Sequence, residues 1–292
     1  MKDYLVRAMA FNNMVRAVAI NLTNTVKEAQ QRHQSNPTAS AAMGRLMVAS
    51  AVMSSTLKDN QKLAIQIKGN GPLGTISADC DYDGNVRGHV KNPHVIIPPK
   101  SPEKLNVAGG VGNIGMLHVT KDLGFGDPYS GSCELLSGEI ADDIAKYFVV
   151  SEQIPTIFAA GVLVGKEGAV LQAGGYLIQL LPGATDDIIY VLESIIGKAK
   201  PVSTLLKEGN NPQSILEYLL GEHDLNILES KNEFRFKCFC SKDYLKGILT
   251  TLGKEDLESL LDKNETEVKC QFCNESYIFL KEDIQELINK LN

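Results

Sequence analysis

Four of the six cysteines in this 292-residue chain stand in two close pairs, Cys238-Phe-Cys240 and Cys270-Gln-Phe-Cys273, with 29 residues between them. On an extended strand a Cys-x-Cys pair sends both sulfurs to one face, and a Cys-x-x-Cys turn brings two more to a point. The four together read as a tetrahedral thiolate cage, with Cys238, Cys240, Cys270 and Cys273 as the ligands of one metal ion. Soft thiolates select zinc, copper(I) or an iron–sulfur cluster, and paired cysteines across a separated loop are the usual pattern of structural zinc. One Zn2+ per reduced chain fits best, while iron–sulfur ligation shares the same cage chemistry. A disulfide framework belongs to short secreted chains. Met1-Lys2-Asp3 leads into a polar-interrupted segment unlike a signal peptide, so a reducing, cytoplasmic setting is expected.

Composition narrows the partners. With 43% hydrophobic residues the chain has ample material for a buried core. A net charge of −6 argues against a general phosphate-binding surface, and no run of 18 apolar residues exists to span a membrane.

The pattern along the chain predicts an α+β fold: an N-terminal mixed domain around a largely antiparallel sheet (1–181), a helical connector (182–230) and a small C-terminal zinc-binding domain (231–292). Residues 3–22 come in short β-leaning bursts, and 23–31 take a helical period. Pro37 opens an Ala- and Met-rich helix over 38–57, whose methionines read as core filler. Alternation over 62–68 and 75–79, with a turn at 69–74, predicts a hairpin. That turn and Gly110-Val-Gly-Asn-Ile-Gly115 both match G-x-G-x-x-G, yet each is followed by strand-like residues and opens no helix, so neither reads as a dinucleotide site. A helix is expected over 137–150, then strands over 156–164 and 169–181. Beyond Pro182-Gly183 come three short helical patterns, at 186–196, 202–207 and 212–220. Each is too short to be stable alone. Each is also rich in Ile and Leu that need cover, for which the first domain's sheet is the expected source. A strand over 233–240 then delivers the first cysteine pair. Helices from Ser241 and from Lys254, a hairpin around Cys270 and Cys273, and a closing helix over 281–291 complete the pattern.

Cys80 lies between Asp79 and Asp81, whose charges disfavour a thiolate, and Cys133 has no sequence partner. The five histidines, at 33, 89, 94, 118 and 223, show no metal spacing. No nucleophile–base arrangement stands out, so no catalytic residue is expected.

The paired cysteines sit behind an α/β body containing Ser151-Glu-Gln-Ile-Pro-Thr156 and Gly174-Gly-Tyr-Leu-Ile-Gln-Leu-Leu-Pro-Gly183. In these features the whole chain resembles the redox-regulated 33 kDa chaperonins, the heat shock protein 33 family. The resemblance implies a protein that is not an enzyme but an ATP-independent holdase. It would be zinc-bound and inactive when reduced, and active once oxidants convert the four cysteines to disulfides. It also implies unfolded proteins as clients and a homodimer in the oxidised state. Oxidation is expected to pair near neighbours, Cys238 with Cys240 and Cys270 with Cys273, each already close on the metal.

Two other readings fit the chain less well. A zinc-ribbon nucleic-acid binder would be basic, yet residues 231–292 carry 10 Lys and Arg against 12 Asp and Glu. A thiol–disulfide oxidoreductase would place its Cys-x-x-Cys after a strand in a βαβ unit, which Cys270 and Cys273 do not do.

Overall fold

The computed structural model describes residues 2–102, 104–228 and 233–291. It falls into two compact units, 1–237 and 238–292.

The first unit begins with strands β1 (Asp3–Ala10) and β2 (Val15–Asn21), followed by helices α1 (Thr23–His33) and α2 (Pro37–Met53). Pro37 sits in the first turn of α2, where its missing N–H costs nothing. Every other residue of α2 except Arg45 is buried, so the helix has no solvent face and is built from small residues and Met. Its buried serines cap themselves: Ser50 Oγ donates to the Met47 carbonyl at 2.9 Å.

A meander follows, of β3 (Lys62–Gly69), β4 (Thr75–Asp81) and β5 (Asn85–Val90). A short helix α3 (Val107–Val111) then leads to β6 (Gly115–Asp122) and β7 (Tyr129–Glu134). Both G-x-G-x-x-G matches therefore lie at turns feeding strands, as the following residues predicted. At Gly69 an added Cβ would stand 2.0 Å from the Val111 carbonyl oxygen, so close backbone approach explains that glycine.

The expected helix over 137–150 is shorter than its sequence pattern. It starts at α4 (Ala141–Tyr147), because the buried Asp143 carboxylate gathers the preceding loop around itself. It accepts from the amides of Leu136, Ser137 and Ile140 at 2.7, 3.0 and 2.9 Å. The far end widens into a π turn over Phe148–Glu152 and stops at Gln153, whose φ is 57°. Strands β8 (Thr156–Val164) and β9 (Val170–Leu180) complete the expected hairpin.

Helices α5 (Asp186–Lys198), α6 (Val202–Lys207) and α7 (Pro212–Leu220) come next, followed by the short strands β10 (Asn226–Leu228) and β11 (Glu233–Phe236). The three helices bury Ile188, Leu192, Leu205, Leu206, Ile215 and Leu219 against one face of the sheet. That face is floored by four alanines, Ala8, Ala10, Ala17 and Ala19, set among the larger Val6, Val15, Tyr176 and Ile178. The Ile and Leu of this segment thus find the cover their sequence demands, within the first unit.

Strand order along the main sheet is β7-β6-β3-β4-β5-β11-β1-β2-β9-β8, with β10 also on β1. Among the described residues every pairing is antiparallel except β11 with β5. Helix α2 packs on strands from both halves of the sheet.

The second unit consists of α8 (Lys242–Leu249), α9 (Lys254–Leu260), the hairpin β12 (Glu265–Lys269) and β13 (Ser276–Leu280), and α10 (Lys281–Lys290). Its core is a single cluster of seven buried side chains: Leu245, Leu249, Leu257, Phe279, Ile284, Leu287 and Ile288. Asp283 clamps this core, pairing with Lys242 at 2.8 Å and Lys246 at 3.0 Å while capping α10 through the Leu280 amide at 3.1 Å. These partners hold its carboxyl well below the usual carboxylate range. No helix of the described residues is long and apolar enough to cross a membrane.

Candidate metal centre

The strand expected over 233–240 ends at Phe236, and its last ladder bond runs from the Lys237 amide to the Val86 carbonyl at 3.0 Å. Cys238 and Cys240 lie beyond it in irregular backbone, so strand alternation is not what gathers their sulfurs. Ser241 does part of that work. Its hydroxyl accepts from the Tyr244 amide at 3.1 Å and starts α8 immediately after Cys240. The second pair sits where the β12–β13 hairpin closes. The Cys270 amide donates to the Glu275 carbonyl at 2.9 Å, the Asn274 amide donates to the Cys270 carbonyl at 2.8 Å, and Asn274 takes a left-handed φ of 63°. The tight turn leaves both sulfurs on its inner side.

None of the six cysteines is joined in a disulfide. The four sulfurs of Cys238, Cys240, Cys270 and Cys273 lie within 4.8 Å of one another, and among the described residues no other metal-capable group of three or more His, Cys, Asp or Glu exists. Zinc–sulfur bonds of about 2.3 Å put the edge of a tetrahedral cage near 3.8 Å. The Sγ separations are 3.7 Å for Cys238–Cys270 and 3.2 Å for Cys240–Cys273. The first matches that edge and the second is shorter, and no two of the sulfurs stand more than 4.8 Å apart, so the four are close enough to share one tetrahedral ion. Both of these short separations cross between the sequence pairs, so proximity alone does not single out the sequence neighbours as disulfide partners.

Cys270 and Cys273 are buried, while Cys238 and Cys240 are half-buried. Burial pushes the Cys240 and Cys273 thiols up; Cys238, Cys240 and Cys270 add to the rise at Cys273, whereas at Cys240 the Tyr277 hydroxyl and Cys273 work against it and Cys238 and Cys270 with it. A bound divalent cation would deprotonate such thiols, and four sulfurs converging on one point are a donor set that fits a soft metal. Tyr277 supplies an outer partner that the sequence pattern did not reveal: its hydroxyl lies 3.3 Å from the Cys240 sulfur and 3.3 Å from the Cys240 carbonyl oxygen. The one available signal was its position just after the Cys-x-x-Cys turn, on the strand that closes the hairpin.

The remaining singled-out residues lie in the first unit. Cys80, on β4, is buried, and burial first, with Asp81 and Asp79 adding less, pushes its thiol up to about 12. The expected carboxylate effect is real but secondary. Cys133, on β7, is also buried, and burial raises its thiol too. His33 places Nε2 3.1 Å from the Gly88 carbonyl oxygen, and His223 stacks on Phe11 with centroids 4.5 Å apart, so both are structural histidines.

Comparison with known proteins agrees with this architecture. A family model described as Hsp33 protein matches residues 3–280. The chain is 45% identical over 292 residues, the full length of both proteins, to the 33 kDa chaperonin of Bacillus cereus. It is 44% identical, again over the full length of both, to the 33 kDa chaperonin of Bacillus cytotoxicus. Its fold is similar to the crystal structure of the 33 kDa chaperonin (heat shock protein 33 homolog) from Thermotoga maritima. That match has a TM-score of 0.89 and 33% sequence identity, and covers 99% of this chain and 98% of that one. With the family model spanning nearly the whole chain, full-length relatives at 45% identity and four cysteines placed to hold one metal ion, the chain belongs to the Hsp33 chaperone family.

Proposed function

We propose that this protein is a redox-switched, ATP-independent holdase that keeps unfolded proteins from aggregating under oxidative stress. The observation that carries the reading is a four-sulfur cage inside a unit whose apolar core is only seven side chains. A core that size supplies about 3–5 kcal/mol at most. Structural zinc contributes on the order of 10–16 kcal/mol in small peptides. In this reading Cys238, Cys240, Cys270 and Cys273 hold one Zn2+ in the reduced state, and the ion, when bound, supplies folding free energy and keeps the sulfurs as thiolates.

A thiolate is the form that oxidants attack. Two thiolates give two electrons to a peroxide; its O–O bond breaks, an S–S bond forms, and with two protons taken up two waters result. Cys270 and Cys273 pair first, because a Cys-x-x-Cys ring is less strained than Cys-x-Cys. Two ligands then remain where four were needed, and the second unit loses most of its folding free energy. Once the unit is unfolded, cross-pairs lose the proximity that the cage gave them. Sequence neighbours stay close in any conformation, so Cys238 then pairs with Cys240.

The docked helices α5–α7 are the element that opens in response. They are individually short, and their docked Ile and Leu become client-binding surface when released. The chain works in the cytoplasm, takes unfolded proteins rather than nucleic acid or membrane as partners, and dimerises when oxidised.

The test measures metal content and light-scattering suppression of an aggregating client on one sample, before and after peroxide. The expected result is one zinc lost per chain as suppression appears. Suppression of equal strength in the reduced, zinc-loaded protein would overturn the reading.

A further inference from the structure

The strand leading into the cysteine cage belongs to the other unit. β11 lies in the middle of the main sheet, between β5 and β1, and joins two blocks that are otherwise separate: β7-β6-β3-β4-β5 on one side and β1-β2-β9-β8 on the other. It is four residues long, and its end is two residues from Cys238. Phe234 and Phe236 point inward and are buried, while Glu233 and Arg235 are exposed. The guanidinium of Arg32 covers the Phe236 ring at 5.0 Å.

Main chain holds β11 on both edges, beside the buried Phe234 and Phe236, a bond from Arg235 Nε to Asn85 Oδ1 at 2.9 Å and an ion pair of Glu233 with Lys2. The amides of Arg235 and Lys237 donate to the carbonyls of Gly84, just before β5, and Val86, within it, at 3.0 Å each. On the other side it pairs antiparallel with Asp3 and Tyr4 of β1. At Gly84 an added Cβ would stand 2.5 Å from the Glu233 carbonyl oxygen, so the sheet is cut to admit a backbone there. The strand is an ordinary extended segment with aromatic residues at i and i+2, seated in a slot that reads main chain on both edges.

A central strand this short, delivered from far along the sequence, is held partly by the chain that leads to it from α5–α7 and β10. A tethered occupant has a high effective concentration, which falls once the tether lengthens. Release of α5–α7 and of β10 from β1 would lengthen it. An exposed pair of sheet edges is then a template for any extended chain.

We propose that the place occupied by β11 is a client-binding slot, closed in the reduced protein by the chain's own strand and filled after oxidation by an extended client segment carrying apolar residues two apart. This inference rests on the redox-holdase reading and adds a second recognition mode to it. The face under α5–α7 takes apolar side chains, whereas the slot takes main-chain hydrogen bonds, which every unfolded protein offers whatever its sequence. Aromatic-x-aromatic segments fit best, because they refill the seats of Phe234 and Phe236.

The test uses the full-length protein and a labelled peptide with the sequence of residues 233–237. Control peptides carry either N-methyl groups on the Arg235 and Lys237 amides or Ala in place of both Phe. The oxidised protein should bind the parent peptide about tenfold or more tightly than the N-methylated one, which lacks two main-chain donors. The reduced protein should bind neither. Hydrogen exchange should show the Arg235 and Lys237 amides losing protection on oxidation. In the reduced protein Arg235→Pro should open the slot and permit peptide binding with the metal retained. If oxidised protein suppresses aggregation while β11 amides stay protected, or if the N-methylated peptide binds equally well, the slot is wrong and the switch stands. If oxidation yields no suppression at all, the holdase reading itself fails and the slot falls with it.

Discussion

The two units solve the same problem with different means. In the first, α2 is buried along almost its whole length between halves of an eleven-stranded sheet, and the core is continuous from strand to strand. The second packs seven buried side chains under one hairpin and three helices, with four cysteines gathered at the hairpin's turn. The first is stable by area removed from water. The second is too small for that and needs a staple. A staple made of sulfur can be undone by chemistry that leaves an aliphatic core untouched, so under the proposed reading the second unit would be the responsive one.

Four changes break or sharpen that contrast. The largest effect belongs to the cage: replacing any one of Cys238, Cys240, Cys270 and Cys273 with Ser should remove the metal and unfold the second unit, a loss on the order of 10 kcal/mol. Metal analysis with hydrogen exchange would register it as lost protection across α8–α10 and retained protection in α2. Next comes the docked segment of the first unit. Leu192 and Ile188 are buried one turn apart on α5, whereas Ile195 is only partly buried, so the first two are the effective anchors. Leu192→Asp or Ile188→Asp should cost about 3 kcal/mol by burying an unpaired charge. The result should be holdase activity without oxidant and with zinc still bound, read by light scattering and metal content together.

A smaller effect attaches to Asp283. Its folded-state carboxyl is depressed, so the stabilisation it gives is complete above the unfolded value of about 3.9 and is lost as pH falls below that toward the folded value. Asp283→Asn should lower the stability of the second unit by about 1 kcal/mol at neutral pH, much of the ion pairing being screened by solvent. It should also flatten the acid limb of that unit's unfolding curve while leaving the first unit's unchanged. The smallest effect is at Cys80. With its thiol pushed up to about 12 it carries almost no thiolate at neutral pH. Cys80→Ser should leave zinc content and peroxide response unaltered, and thiol-labelling rates in the folded protein should be far below those of a free cysteine. Fast labelling there would move the redox chemistry into the first unit.

Sequence carried the second unit better than the first. The cysteine pairs, the Ser241 cap and the hairpin around Cys270 are local, and local patterns fix turns and caps without knowledge of the rest. The buried character of α2 was legible for the same reason, from 17 residues holding one charge. What sequence did not carry is long-range. The pattern at 233–240 shows a strand but nothing of its partners, Asp3 and Tyr4 at one end of the chain and Asn85 and Val86 far from it. Tyr129–Glu134 becomes β7 although Ser-Gly-Ser offers no hydrophobic alternation, because β6 provides a ladder beside it. Helix α4 begins late because one buried carboxylate at Asp143 satisfies the amides of the loop before it. Tyr277 meets Cys240 only after the hairpin and the first cysteine pair have been brought together.

The alanines beneath α5–α7 bear on how that cover would return if, as proposed, it is released. Ala8, Ala10, Ala17 and Ala19 give shallow ground between the larger Val6, Val15, Tyr176 and Ile178. A returning helix would slide over the former without backing out of a wrong notch and take its final offset from the latter, so one surface would both ease the approach and fix the seat.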